Sequence, residues 1–572
     1  MPQTSVARLL DRLEELKRPS SSPRARKRLR ALLRELTRRR LRDAPSLMRL
    51  HEALIFMRAY PQGPALLRAT ETLLKTFSRR VREAEARGAD LSALGEPEVS
   101  GVAGTEFSAQ FSYDVTRRLA RAHPSRVDID WDGYDERAQL AVVWPKLLPL
   151  YEEDAYVDTR APFLEWVRAA KRRGETDLGW LMRAFDRLDL TDEARAALFD
   201  PLKIWVRLRL GDSTLTRTRA RLRPPRKIFF HAEPLIERRD VSLERELASP
   251  PLPVKRLARR EAERLLLVAS DAMSVRFREL HGFTHADPRS VVRADAGRGA
   301  EIYAWGVRPA RRLPLLAYVS MMVFKNGVPA AYAEGLTLCE RSEVGFNLFY
   351  TFREGESAWL YARVLRLVRQ LHGVEVFSID PYQLGGVGNE EGLESGAFWF
   401  YRKLGFRPVA PEQAKLLEAE ERRVARRRGY RTPPARLRRL ASEHLLYETA
   451  RAERGAWDGF RVRHVGLAVG RRMRERFDSD PARLRAASVA SVERALRVST
   501  RRWDEDERRA FENLSLPLAL VPDLARWTRD EKQSLLRLAR AKAGRDEISY
   551  ARLLNRHPRL RRALLELGTA SR

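Results

Sequence analysis

The stretch "ESGAFWFYRKLGFRPV", residues 394–409, stands apart from the Arg- and Leu-rich text on either side of it. Phe398, Trp399, Phe400 and Tyr401 crowd one short helical turn, and Lys403-Leu404-Gly405-Phe406 leads out of it. Gly405 suits the position just past a helix end, where the backbone turns left-handed and glycine does so without steric cost. "FRPV" (406–409) then reads as a closing strand.

Outward from this stretch, residues 258–412 read as one α/β unit. A helical segment, "RLARREAERLLLVASDAMSVRFRELHG", is followed by the strand-like runs "AEIYAWGV", "PLLAYVSMMVFK", "VPAAYAEGLTLC" and "EVGFNLFY". Asn326-Gly327 sits between the second and third runs, the strongest short hairpin signal. A helix from about Gly355 to His372 and a buried strand, "VEVFSID", come next. The expectation is a largely antiparallel front with a helix–strand crossover behind it.

The flanks read as mainly α-helical. Leu29, Leu32, Leu33 and Leu36 follow the i, i+3, i+4, i+7 spacing of an amphipathic helix, and residues 1–95 repeat that period. Residues 96–212 read as helical with irregular or strand segments, and 413–572 as helical again. Asp128, Asp130, Asp132 and Asp135 form a local acidic group, taken as a solvated edge or turn, so no metal is expected. Prolines break 213–257 into a linker, whose "RTRARLRPPRK" (217–227) is the best local candidate for a polyanion contact.

With 572 residues, 44% hydrophobic, the chain can build several cores; a prior of roughly 150 residues per domain gives about three or four units. The formal charge of +32 fits a nucleic-acid or other polyanion partner, but a GC-biased coding sequence yields the same Arg-rich surface. Cys339 is the only cysteine, which excludes an intrachain disulfide and a cysteine zinc cluster. No apolar run of about 18 residues and no signal-peptide core is seen, so the expectation is a cytoplasmic chain without a membrane partner.

The order of elements in 258–412 resembles the GNAT acyltransferase superfamily, most specifically through "FWFYRKLGF", which looks like that family's aromatic-Tyr-x-Lys-x-Gly-Phe ending. Ala397, four residues before Tyr401, also matches the spacing. The resemblance covers about a quarter of the chain and implies a mixed sheet whose fourth and fifth strands splay around acetyl-CoA or another acyl-CoA. It places the co-substrate along Phe349, Tyr350, Phe352, Arg353, Gly355, Ser357 and Ala358, with backbone amides at a helix start holding the pyrophosphate. The family's Arg/Gln-x-x-Gly-x-Gly/Ala loop is met in part: registered on Gly355, position one is Phe352, and registered on Arg353, position four is Glu356. Glu354 and Glu356 bring negative charge to that loop.

For transfer to an unidentified amine, the resemblance implies Tyr401 as the acid that protonates the departing thiolate, with Glu343 and Glu334 as candidate bases. Where the family often has Asn, seven residues before the tyrosine, this chain has Glu394; Asn389 lies earlier, as a cap or part of a reshaped acceptor loop. His281 and His285 read as loop histidines. The alternative function is a GNAT-like scaffold without catalysis that binds a nucleic acid or protein partner. An enzyme requires an open wedge between "EVGFNLFY" and "VEVFSID"; a scaffold would fill it with side chains such as Phe349, Tyr350 and Phe352.

Overall fold

The computed structural model describes residues 5–148, 163–222 and 228–569. Its centre is a nine-stranded mixed sheet: β4 (Val254–Arg256), β5 (Val292–Gly297), β6 (Ala300–Trp305), β7 (Ala317–Lys325), β8 (Val328–Leu338), β9 (Arg341–Leu348), β10 (Val376–Ile379), β11 (Arg407–Pro408) and β12 (Leu445–Glu448). The spatial order is β11-β12-β10-β9-β8-β7-β6-β5-β4, and only β9 and β10 run parallel. Their parallel course follows from the intervening helix Ser357–His372, since two parallel neighbours need a crossover. Asn326 (φ 48°) and Gly327 (φ 80°) make the tight turn between β7 and β8, both central residues having positive φ as a two-residue hairpin requires.

Alternation along the strands divides the sheet into two buried faces. Ile302, Met321, Val323, Ala333 and Val344 join the core under helix Ser357–His372, while Tyr303, Trp305, Met322 and Phe324 join a core with the N-terminal helices Val6–Leu16, Pro23–Arg38 and Ala44–Ala59. The C-terminal helices close a further core over Ala317, Leu338, Val376 and Leu446. The flanks are therefore packed layers of the sheet domain, and their amphipathic faces are satisfied by the sheet itself.

Two boundaries move. The segment read as a linker, 213–257, supplies edge strand β4, and Leu243, Leu247 and Leu252 enter the core beneath helix Ser357–His372. The unit read as ending at 412 instead takes β12 from the C-terminal region, inserted between β10 and β11. "FRPV" is thus a strand, but it pairs with β12 and does not meet β10 directly. Residues 96–212 hold a small antiparallel sheet, β1 (Glu106–Gln110), β2 (Val127–Ile129) and β3 (Trp205–Arg209), in the order β1-β3-β2. Among the described residues no helix is long and apolar enough to cross a membrane.

Candidate functional site

The β9–β10 pair is made only at the strands' beginnings: Arg341 opposite Val376, Ser342 opposite Phe377 and Glu343 opposite Ser378. Beyond that point β9 continues from Val344 to Leu348 paired on its β8 side alone, with Gly345 opposite Glu334 and Asn347 opposite Tyr332. A cavity of about 560 Å3 opens along this freed edge. Gly345, Phe346, Asn347 and Leu348 form one wall, and Ala397, Phe400 and Tyr401 of the quoted aromatic helix face it. The remaining walls are Phe277–Leu280 after helix Arg259–Ser274, and the loop through Tyr382, Gln383 and Asn389.

The aromatic turn folds as helix Ala397–Arg402, and Gly405 leaves it with φ 102°. The Tyr401 ring is held edge-on by Tyr361 (5.6 Å between centroids), Phe400 (5.2 Å) and Phe406 (5.8 Å). That packing lets the ring lie buried in the core while the residue still lines the cavity. Its hydroxyl has no hydrogen-bond partner among the described residues, and burial pushes its pKa above the usual phenol value. Through the neutral range Tyr401 keeps its proton.

Glu334, on β8, also lines the cavity. Burial raises its pKa, and the Tyr318 hydroxyl, which donates to Oε1, opposes that rise. Tyr318 accepts in turn from the Gly282 amide at 3.1 Å, an arrangement that leaves its own proton for the carboxylate. Glu343 is placed differently. It is absent from the cavity wall and faces His444 Nε2 at 3.4 Å and Arg341 at 3.6 Å. Burial acts to raise its pKa, but the His444 hydrogen bond and the Arg341 charge outweigh it and hold the carboxyl below its usual range. Of the two acids, Glu334 therefore faces the cavity and Glu343 is paired outside it.

Glu343, Asp380 and His444 place ligand atoms within 4.8 Å of one another and could hold a metal ion. Arg341 already supplies a cation there, and His444 Nδ1 is buried without a hydrogen-bond partner, unlike the supported imidazole of a built metal site. Three acids of the group at and after β2 are likewise engaged: Arg207 bridges Asp130 and Asp132, and Asp128 accepts from the Leu178 amide at 3.3 Å.

Of the seven residues assigned to the co-substrate, Arg353 and Ser357 line the cavity. Phe349, Phe352 and Ala358 are buried in the cores instead, and Tyr350 is exposed under the Arg353 guanidinium. Phe352 packs on Tyr60 of the N-terminal helices, which removes it from the wedge. Gly355 is also turned toward that helix layer: a Cβ there would stand 2.7 Å from the Tyr60 hydroxyl. Its amide donates to Phe352 O at 2.8 Å, so this amide is not free for an anion. The helix that begins at Ser357 has no side-chain cap, which leaves its first-turn amides for a ligand.

The two loop acids are neutralised away from the cavity. Glu354 pairs with Lys17 at 2.9 Å, and the wholly buried Glu356 pairs with Lys325 and Arg298, each at 2.7 Å. Asn389 caps helix Glu390–Glu394 through the Gly392 amide and also reaches the cavity wall. His281 Nε2 donates to Arg311 O at 2.8 Å as a loop contact, and its ring lies 5.0 Å from that of His285.

Arg278, Arg353, Glu98 and Glu391 were not singled out by sequence. They form a four-membered ring of ion pairs, three of whose members line the cavity: Arg278 meets Glu98 at 2.9 Å and Glu391 at 3.3 Å, and Arg353 meets the same two acids. The four come from distant parts of the chain, so no local motif announces them. Taken together, the molecule is a mixed α/β protein whose sheet divides around a polar cavity at a crossover. No protein-family model, curated protein or solved structure matches the chain.

Proposed function

We propose that the chain is an acyl-CoA-dependent N-acyltransferase with a GNAT-like core, acting on an amine. The observation that carries this reading is the parting of β9 from β10 after Glu343, which opens a cavity beside an uncapped helix start and under Tyr401. A helix N-terminus offers unpaired amides and a favourable dipole to an anion such as a pyrophosphate. Arg278 and Arg353 stand on the cavity wall, each held by Glu98 and Glu391, so an anion would have to draw them from those acids; the register that makes Arg353 the loop's first position fits its place on the wall. The open wedge favours the enzyme over the scaffold, because Phe349 and Phe352 are spent on the N-terminal core.

In this reading the amine nitrogen attacks the thioester carbonyl carbon and the carbon–sulfur bond breaks. Glu334 takes the proton from the attacking nitrogen, helped by a pKa raised toward its task. Tyr401 gives its proton to the leaving thiolate. Tyr318 keeps the Glu334 carboxylate oriented.

Calorimetric titration of the nucleic-acid-free protein with acetyl-CoA tests the proposal, with Ser357→Glu as the comparison. Glu in a helix's first turn preserves the fold but sets a negative charge where the pyrophosphate would lie. Micromolar binding that the variant loses supports the reading. No binding by the folded wild type sinks it.

A further inference from the structure

The basic segment singled out in the sequence, 217–227, is used internally. Arg217 is buried against Glu52, Arg219 pairs with Asp212 and Arg221 with Glu71, while residues 223–227 lie outside the described residues. A larger block of positive charge is carried by helix Pro23–Arg38 and the turn after it. Residues 24–42 hold ten Arg or Lys and a single acid, Glu35, which is taken by Arg39 at 3.0 Å.

The helix's leucines fix where that charge points. Leu29, Leu32, Leu33 and Leu36 are buried, so Arg24, Lys27, Arg28, Arg30, Arg34 and Arg38 are left exposed. None of these six has an ion-pair partner among the described residues. A rise of about 1.5 Å per residue sets Lys27, Arg30, Arg34 and Arg38 in steps of about 4.5–6 Å along one side, a row that extended side chains can fit to successive phosphates. At the helix end, Arg80 donates to the carbonyls of Leu36, Thr37 and Arg39, which braces the turn. A cleft of about 470 Å3 follows, lined by Arg38, Arg39, Arg40 and Arg42 with Val6 and Asp43. Asp43 is occupied as the cap of the next helix, through the Ser46 amide at 2.7 Å.

We infer that this face binds the phosphodiester backbone of a nucleic acid, without reading base sequence. Guanidinium groups match phosphate oxygens in pairs, and a row of unneutralised cations gains affinity by releasing counterions. A membrane-lying helix would need apolar residues at the lipid boundary. Here the leucines are consumed by the core, and no residue of the N-terminal helices is among the exposed large hydrophobic side chains. A protein partner would call for aromatic or apolar anchors at the interface centre, and this surface has none among its exposed residues. The inference stands independently of the acyltransferase reading.

Fluorescence anisotropy of the full chain with a labelled DNA duplex and a labelled single-stranded RNA, over a range of salt, tests it. The variant is Lys27→Glu/Arg30→Glu/Arg34→Glu, and the comparison is Arg426→Glu/Arg427→Glu/Arg428→Glu, an exposed basic stretch elsewhere. The first is expected to bind at least 30-fold more weakly and to flatten the log–log salt slope by about 2.7, at about 0.9 per phosphate contact on duplex. The second should stay within threefold of wild type. Equal losses in both variants would assign the binding to bulk charge and overturn the placement. Absence of nucleic-acid binding at low salt overturns the proposal, as does binding of phosphatidylserine vesicles in its place. Should the reversal disturb folding, Lys27→Gln/Arg30→Gln/Arg34→Gln gives the same slope change with less repulsion and decides the matter.

Discussion

Replacing Glu356 by Gln attacks the loop that precedes the helix start, at a point where the magnitude can be worked out. Lys325 and Glu356 are both wholly buried and meet at 2.7 Å. The Lys325 ammonium lies between the rings of Tyr60 (4.8 Å) and Trp359 (5.2 Å). Removing one member of such a pair strands the other charge in the core, a loss of about 3–5 kcal/mol. Arg298, the carboxylate's second partner, is less enclosed and can turn toward solvent, so it adds little. Burial already lowers the Lys325 pKa to about 8, with Glu356 opposing the fall. The unfolded chain therefore binds more protons between about pH 8 and 10.5, and stability rises with pH across that window. In Glu356→Gln the opposing charge is gone and the window opens at lower pH, so the loss should shrink as Lys325 sheds its proton. Equilibrium guanidinium unfolding followed by tryptophan fluorescence, at neutral pH and near pH 9, measures both quantities. Lys325→Met/Glu356→Gln should recover most of the loss, because no buried cation is left unpaired. A neutral-pH loss under about 1 kcal/mol, the value of an exposed pair, refutes the reasoning, as does a loss that pH leaves unchanged.

Tyr401→Phe should cut acetyl transfer about 100-fold, read as thiol release, while calorimetric affinity for acetyl-CoA is kept; an unchanged rate removes Tyr401 as the acid. Glu334 acts as base only when ionised, so kcat/KM should rise with pH through a pKa above the ordinary carboxylate value. Tyr318→Phe deletes a hydrogen bond to the charged form and should move that rise to higher pH; a limb that stays in place rules out Glu334. Glu343→Gln should leave transfer within threefold of wild type while lowering thermal stability, since its partners His444 and Arg341 lie off the cavity; a large rate loss would restore it as a base.

Local patterns were legible and distant pairings were not. Asn326-Gly327 announces its hairpin because a two-residue turn needs positive φ twice, and Gly405 announces the helix exit for a similar reason. The register beyond the turn was hidden. A bulge between Val323 and Phe324 shifts the pairing by one residue and sets Ser320, in place of Val319, opposite Glu334. Without that shift the polar neighbours of the carboxylate cannot be read off. Phe352 looked like a wedge residue by proximity, yet the side chain's direction was decided by Tyr60, almost 300 positions earlier in the chain. The ion-pair ring of Arg278, Arg353, Glu98 and Glu391 was unreadable because it is assembled from four separate segments of the chain.

The N-terminal layer bears on the site through the same loop. Glu52 pairs with buried Arg217 and accepts from the Thr351 hydroxyl, Tyr60 meets the Glu356 amide at 3.4 Å, and Lys17 holds Glu354. Three positions of the loop between β9 and helix Ser357–His372, Thr351, Glu354 and Glu356, are thus held by residues more than 130 positions away in sequence. A loop that must present helix amides to an anion gains from being held, because amides already oriented need no reordering when the ligand arrives. The Glu52–Arg217–Thr351 and Tyr60–Glu356 contacts are buried, which makes a half-formed version of them costly, while the Lys17–Glu354 pair lies at the surface. The layer that carries the proposed nucleic-acid surface is therefore also the layer that shapes the proposed acyl-CoA loop. A polyanion on helix Pro23–Arg38 would sit on the far side of the same leucine core that supports Tyr60 and Phe352. That shared core is a physical route by which the two sites would feel one another, and linkage requires any such effect to be reciprocal: a ligand at either site would alter affinity at the other by the same factor.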